Sequence, residues 1–298
     1  MSQSEFAQGN NAQSVEDAIR EQNRPIKPFR VIANIYFVGT HDLSSFLIVT
    51  AQGHILLDVG YEQTAPLIRD NIRQLGFRAE DVRWIILSHS HPDHVAGCAF
   101  IRQLSGAKVA ISELDAAVVA SGGRSDPGFK DFHWAPCLVD RQISDGESVS
   151  LGQTVITAHL TPGHTKGCTT WTTRVTQNSR SYEVIFVPGL APVGRERLVG
   201  NPEYADIAKD FEHTFSVLKA LKCDVFLAQH PSLFGMHEKL RRRRKSRINP
   251  FIDPTGYAGV IAEAEKHFRE QLKRESATQQ QFVGGERRQR VSQLASFD

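Results

Sequence analysis

The sequence predicts an α/β (α+β) fold built in two halves, with sheets inside and helices outside. Three observations carry that reading. Strand-like segments precede helix-like ones twice along the chain, in the order strands, helix, strand, helix and then again. Val82–Leu87 is apolar on both faces, as a strand covered from both sides must be. Asp206–Leu221 places Ile207, Phe211, Phe215, Leu218 and Leu221 on one helical stripe that needs a sheet to cover it.

Taken in order, residues 1–24 are polar, and Ser14–Gln22 has the makings of a short helical arm. Phe29–Val38 and Ser45–Thr50 alternate as strands, and Gln52-Gly53 turns the chain into a third, His54–Val59, closed by Asp58. Glu62–Leu75 carries Ala65, Ile68, Ile72 and Leu75 at helical spacing before Gly76 stops it. A helix over Val95–Leu104, a strand over Lys108–Ile111 and a helix reaching Ala120 follow, the last opened by Ser112-x-x-Asp115, an acidic variant of the capping box. Ser121–Pro136 holds three aromatics without periodicity, which reads as a surface loop or as a wall beside a substrate. Short strands are expected at Val139–Ile143, Ser148–Leu151, Thr154–His159, Thr169–Val175 and Tyr182–Val187. Asp224–Ala228 is the last apolar strand and Tyr257–Lys273 a closing helix. The expected division is an arm over 1–24, one domain over 25–275 and a flexible polar tail over 276–298.

Bulk properties narrow the classes. A hydrophobic content of 40% in 298 residues suffices for a sizeable core. The formal charge of +2 gives no overall pull toward nucleic acid or membrane. No apolar run is long enough to span a bilayer. The N-terminus lacks a basic start followed by an apolar stretch, so a cytoplasmic location is expected for the chain as written, and a periplasmic or secreted one if a signal was removed. Cys98, Cys137, Cys168 and Cys223 form no CxxC pair, which makes reduced thiols the default.

The chemistry concentrates in Trp84–Gly97, WIILSHSHPDHVAG. An apolar strand ends in Ser88-His89-Ser90-His91-Pro92-Asp93-His94, where His89 and His91, two apart, can face one target. Pro92 stops the strand, and Asp93 and His94 stand at the start of the next helix. Three imidazoles and a carboxylate within six residues suit one zinc ion or two.

The pattern His89-x-His91-x-Asp93-His94 resembles the signature of the metallo-β-lactamase superfamily. The likeness extends through GTHDLSSFLI (39–48), ILLDVG (55–60), TPGHTKGCTTW (161–171), LVGNPEY (198–204) and QHP (229–231), and is strongest to the third subclass, whose first zinc is held by histidines alone. It implies a four-layer αββα sandwich, and Asp58 falls where the family braces the metal loop with a buried aspartate, a plain turn residue being the equal alternative. It also implies a first zinc on His89, His91 and His164, and a second on Asp93, His94 and His230. A hydroxide between the two ions would attack the amide ring of a β-lactam, with Asp93 orienting it and handling its proton.

The substrate is less determined. Many superfamily members acting on phosphoesters, thioesters or lactones carry a bridging Asp after the strand that corresponds to Tyr182–Val187, whereas FVPGLAPVGRERLVG has no acid before Glu196. The third subclass usually places a serine there; Pro188, with Leu190 two residues on, offers no side-chain donor. Thr165, Lys166, Arg195 and Arg197 are candidates to meet a substrate carboxylate, with solvated surface roles as the alternative. The run Lys239–Arg247 is the one hint of phosphate or nucleic-acid binding, and a solvated loop is the simpler expectation. The competing functions are another hydrolase on the same fold, cutting a lactone, ester or phosphodiester, and a zinc-stabilised binding protein.

Overall fold

The computed structural model describes residues 12–126, 132–193, 196–245 and 248–294. Helix α1 (Ala12–Gln22) precedes a meander of β1 (Phe29–Ile32), β2 (Ile35–Phe37), β3 (Phe46–Thr50) and β4 (Gly53–Leu57). The chain then alternates through α2 (Thr64–Gln74), β5 (Val82–Ile86), α3 (Pro92–Val95), α4 (Cys98–Ser105), β6 (Lys108–Ser112), α5 (Glu113–Ser121) and β7 (Arg141–Ile143). These seven strands form one sheet in chain order, antiparallel up to β4 and parallel from β4 to β7. The second half supplies β8 (Ser148–Leu151), β9 (Thr154–Leu160), β10 (Thr169–Gln177), β11 (Arg180–Val187), α6 (Ile207–Ala220), β12 (Val225–Ala228), α7 (Met236–Arg243) and α8 (Pro254–Leu294). Its five strands run β12-β11-β10-β9-β8, with only β11 and β12 parallel.

The period-two alternation of strands sorts the side chains into layers. Ile55 and Leu57 of β4 enter the core between the sheets with Trp171, Phe186 and Leu227, while Leu56 enters the layer under α2 and α4 beside Ile68, Ile72 and Ile101. On the opposite side α6 and α8 cover the second sheet, with Phe268 packed 5.6 Å from both Phe211 and Phe215. The two sheets flanked by helices are the architecture expected. Two bonds cross from one sheet to the other near the histidine motif: Trp171 Nε1–H donates to the Leu87 carbonyl (3.1 Å) and the Thr169 amide to that of Ser88 (2.8 Å). Among the described residues no helix is long and apolar enough to cross a membrane.

Several details differ from the sequence reading. The first predicted strand breaks at Ala33, whose φ of 45° turns the chain between β1 and β2. The helix after the histidine motif is two pieces, α3 and α4. The segment expected as a flexible tail from 276 continues α8 to Leu294, while 295–298 lie outside the described residues. Polarity alone does not end a helix, since Ala277 and the glutamines after it are good helix formers. Much of the basic run is helical rather than loop: α7 turns Lys239 inward to pair with Asp253 at 3.2 Å, and the Arg243 guanidinium lies 6.0 Å from the Phe251 ring centroid. Ser246 and Arg247 lie outside the described residues.

Cys98 and Cys137, expected as thiols, are joined in a disulfide with their Cα atoms 6.0 Å apart. Cys168 and Cys223 are free, and burial pushes both thiols up, Cys223 to about 12.

Candidate metal centre

The strand ends determine what converges. β5, β9 and β12 finish along one rim, and each releases histidines within a few residues: His89, His91 and His94 after β5, His164 after β9, and His230 after β12. A ligating atom from each of His89, His91 and His164 lies within 4.8 Å of the other two. Asp93, His94 and His230 form a second set on the same criterion. His89 Nε2 is 3.1 Å from His91 Nδ1, and Asp93 Oδ2 is 3.2 Å from His94 Nε2 and 3.5 Å from His230 Nε2. The expected residues therefore meet in two trios, each drawing two members from the first half of the chain and one from the second.

Most of the imidazoles are held by their outward nitrogen, which turns the other inward. His164 Nδ1–H donates to the Ala191 carbonyl (2.7 Å) and His230 Nδ1–H to that of Asp42 (2.9 Å). Ser88 Oγ contacts His89 Nδ1 at 3.0 Å. Of the two roles open to Asp58 it takes that of the brace: it accepts from the Ser88 amide (2.8 Å) and hydroxyl (2.7 Å), and reaches within 3.5 Å of His94 Nδ1. It does so with φ at 57°, a left-handed conformation that aspartate tolerates better than most residues.

The donor set fits a divalent cation. His164 Nε2 is buried without a hydrogen-bond partner in the protein, a costly state for a polar atom unless something else binds it. Burial, reinforced by the neighbouring imidazoles, holds His89 and His91 well below the usual histidine range, and burial takes His164 down to about 4. The three rings are therefore uncharged at neutral pH, the form in which an imidazole ligates a metal ion. Burial opposes charge on His94 as well, but the Asp93 and Asp58 carboxylates outweigh it and push this ring up to about 10. The second trio thus calls for a positive charge in its midst, a proton or a metal ion. Burial also opposes ionised Asp93, and the facing His94 and His230 overcome it, holding the carboxyl well below its usual range.

The candidate substrate residues are scattered. Thr165 gives its hydroxyl to Asp115 (2.7 Å), Lys166 is exposed with its ammonium 5.3 Å from the Tyr204 ring centroid, and Leu190 is buried in the hydrophobic core. Pro188 is buried at the end of β11. Arg197 is exposed and donates to the Gly200 carbonyl, and Arg195 lies outside the described residues, as does part of the aromatic loop, residues 127–131.

Sequence reasoning missed Asp115. Ser112 does cap α5, its Oγ accepting from the Leu114 amide at 3.3 Å, but Asp115 does not return the bond. Its carboxylate accepts instead from the Ser90 amide (2.9 Å), the Thr165 hydroxyl and the Gly167 amide (2.9 Å). Burial pushes this carboxyl up, and these donors together with the Ser90 hydroxyl act in the opposite direction. Its position as the third residue of a helix carried no signal of those distant partners.

The sequence pattern of the metallo-β-lactamase superfamily matches residues 38–174. Human mitochondrial persulfide dioxygenase ETHE1 is 30% identical over 118 residues, 39% of this chain and 37% of that protein. The chain spans about a third of the length of the curated relatives it matches. The likeness to solved structures runs nearly end to end. BJP-1, a subclass B3 metallo-β-lactamase of Bradyrhizobium japonicum, superposes with a TM-score of 0.82 at 37% identity, over 88% of this chain and 99% of that one. The native FEZ-1 metallo-β-lactamase of Legionella gormanii gives 0.83 at 39% identity, over 85% of this chain and 98% of its own. With that identity sustained over almost the whole of a relative, the chain belongs to the metallo-β-lactamase superfamily.

Proposed function

We propose that the protein is a two-zinc hydrolase that opens the amide ring of β-lactams. The observation that carries this is the pairing of two complete ligand trios with an acid-free turn after β11, where Pro188, Gly189 and Leu190 stand. His89, His91 and His164 would hold one ion, and Asp93, His94 and His230 the other. Zinc bound there supplies Lewis-acid polarisation of the scissile carbonyl and a water acidified to a pKa of ~7.

The residues of the chain do the rest. Asp93, kept ionised by His94 and His230, accepts a hydrogen bond from the attacking water and so aims its oxygen at the carbonyl carbon. As the new C–O bond forms and the ring C–N bond breaks, one proton of the water passes by way of an Asp93 carboxylate oxygen to the ring nitrogen and the other leaves to solvent. The products are a carboxylate and an amine. Ala191 and Asp42 lend their carbonyl oxygens to fix the His164 and His230 rings throughout. Lys166, exposed one residue beyond Thr165, is the nearest cation in that loop to meet a substrate carboxylate.

Zinc-loaded protein should hydrolyse a chromogenic cephalosporin and lose that activity to a chelator. Absence of turnover on penicillin, cephalosporin and carbapenem panels, with two zinc ions per chain confirmed, rejects the reading. A second reading, a hydrolase of lactones, esters or phosphodiesters, is favoured by Pro188, which offers no side-chain donor at the turn. Faster cleavage of an acyl lactone or of RNA than of any β-lactam selects it.

A further inference from the structure

We propose that Asp115 is the positioning residue of the first trio, locking the loop of His89 and His91 to the loop of His164. The proposal rests on the reading of those three histidines as metal ligands. Asp115 belongs to α5, outside both loops. Its Oδ2 accepts at once from the Ser90 amide, between His89 and His91, and from the hydroxyl of Thr165, next to His164. Its Oδ1 accepts from the Gly167 amide on the same second loop. One carboxylate thereby fixes the separation of two segments that no covalent link holds together.

The fit is close and specific to a carboxylate. The side chain is 3% exposed, and a Cβ on Gly167 would fall 2.6 Å from Asp115 Cγ, so this loop approaches only because residue 167 is glycine. No cationic side chain pairs with Asp115 among the described residues. Its charge is met by the converging donors of Ser90, Thr165 and Gly167. An amide in its place could not match them. With the Asn oxygen toward Gly167, its NH2 confronts the Ser90 amide; with the oxygen toward Ser90 and Thr165, the NH2 confronts the Gly167 amide. Either way two donors face each other in a buried place. The distortion falls on the first trio, because the bonded Ser90 amide lies between His89 and His91 and the bonded Thr165 hydroxyl beside His164.

The test isolates each trio by disabling the other. Cobalt affinity is measured on the full chain from its visible absorption bands in two backgrounds, His230→Ala, which leaves the first trio complete, and His164→Ala, which leaves the second. Asp115→Asn should weaken cobalt binding about tenfold or more in the first background, the range expected when a partner behind a metal ligand is lost, and less than about twofold in the second. Thr165→Val, which removes one donor and leaves the carboxylate, keeps the test open should Asp115→Asn not fold, and should weaken the first trio alone by about threefold. Equal loss in both backgrounds means that Asp115 only supports the fold, and overturns the proposal; so does unchanged affinity in the first. If neither background nor the wild-type chain binds cobalt, the ligand assignment fails too, which the wild-type titration tells apart.

Discussion

Gly189 lies so close against the ring of His164 that a Cβ there would fall 2.2 Å from His164 Cγ. The turn after β11 also brings the Ala191 carbonyl to His164 Nδ1. Gly189→Ala therefore cannot be accommodated without displacing the imidazole or the turn. The expected outcome is at least a tenfold loss of metal affinity at the first trio. The metal-free fold should be little altered. Metal content after dialysis and far-ultraviolet circular dichroism on the same sample check both halves of the prediction.

Asp58 is expected to matter for stability even without metal. Removing its carboxylate leaves the buried Ser88 amide and hydroxyl without their acceptor. Asp58→Ala should cost about 3 kcal/mol, the scale of orphaned buried donors, and Ser88→Ala about 1 kcal/mol. Urea unfolding of the metal-free proteins measures each.

The Cys98–Cys137 bridge closes a loop across 39 positions, from the start of α4 to the end of the aromatic loop. Chain-entropy arguments assign such a closure about 4 kcal/mol. Unfolding in the presence of a reductant should shift the urea midpoint accordingly, and thiol titration of the unreduced, denatured chain should find only Cys168 and Cys223. Four titrating thiols would refute the bridge.

Acid should weaken the contact between α4 and β7. Arg102 bonds both oxygens of Asp140, which also accepts from the Val109 amide at 2.8 Å, and the Arg102 guanidinium chiefly holds the carboxyl below its ordinary range. A carboxyl lowered by folding contributes its full stabilisation above its unfolded pKa of ~3.9 and loses it as pH falls through the folded value. Asp140→Asn should therefore destabilise the protein by about 1 kcal/mol at neutral pH. That difference should shrink at pH values below ~3.9. A gap between variant and wild type that is constant across this range contradicts the assignment.

The parts legible in the sequence were those written in side-chain type at short range. The strand over Val82–Leu87 and the histidines that follow it announce themselves, and His164 and His230 sit in turns beside Pro162 and Pro231 that a family pattern picks out. Ala191 and Asp42 were not legible, because they act through backbone carbonyls that every residue possesses. Asp115 was hidden by distance, since its partners lie 25, 50 and 52 residues away while a local capping role was available. The same holds for Cys98 and Cys137, which only the folded path brings together. The end of α8 was misread because glutamine-rich polarity is equally compatible with helix and with coil.

Each trio takes two members from the first sheet's loops and one from the second's. An ion seated in either trio is then a rivet driven through the seam between two half-molecules. Neither half alone could grip it, and prising the halves apart by even the length of a bond would release it. Affinity for the ion is in this sense a gauge of how well the halves are aligned, so that a substitution deep in the sandwich, remote from any histidine, would register first as a change in metal retention.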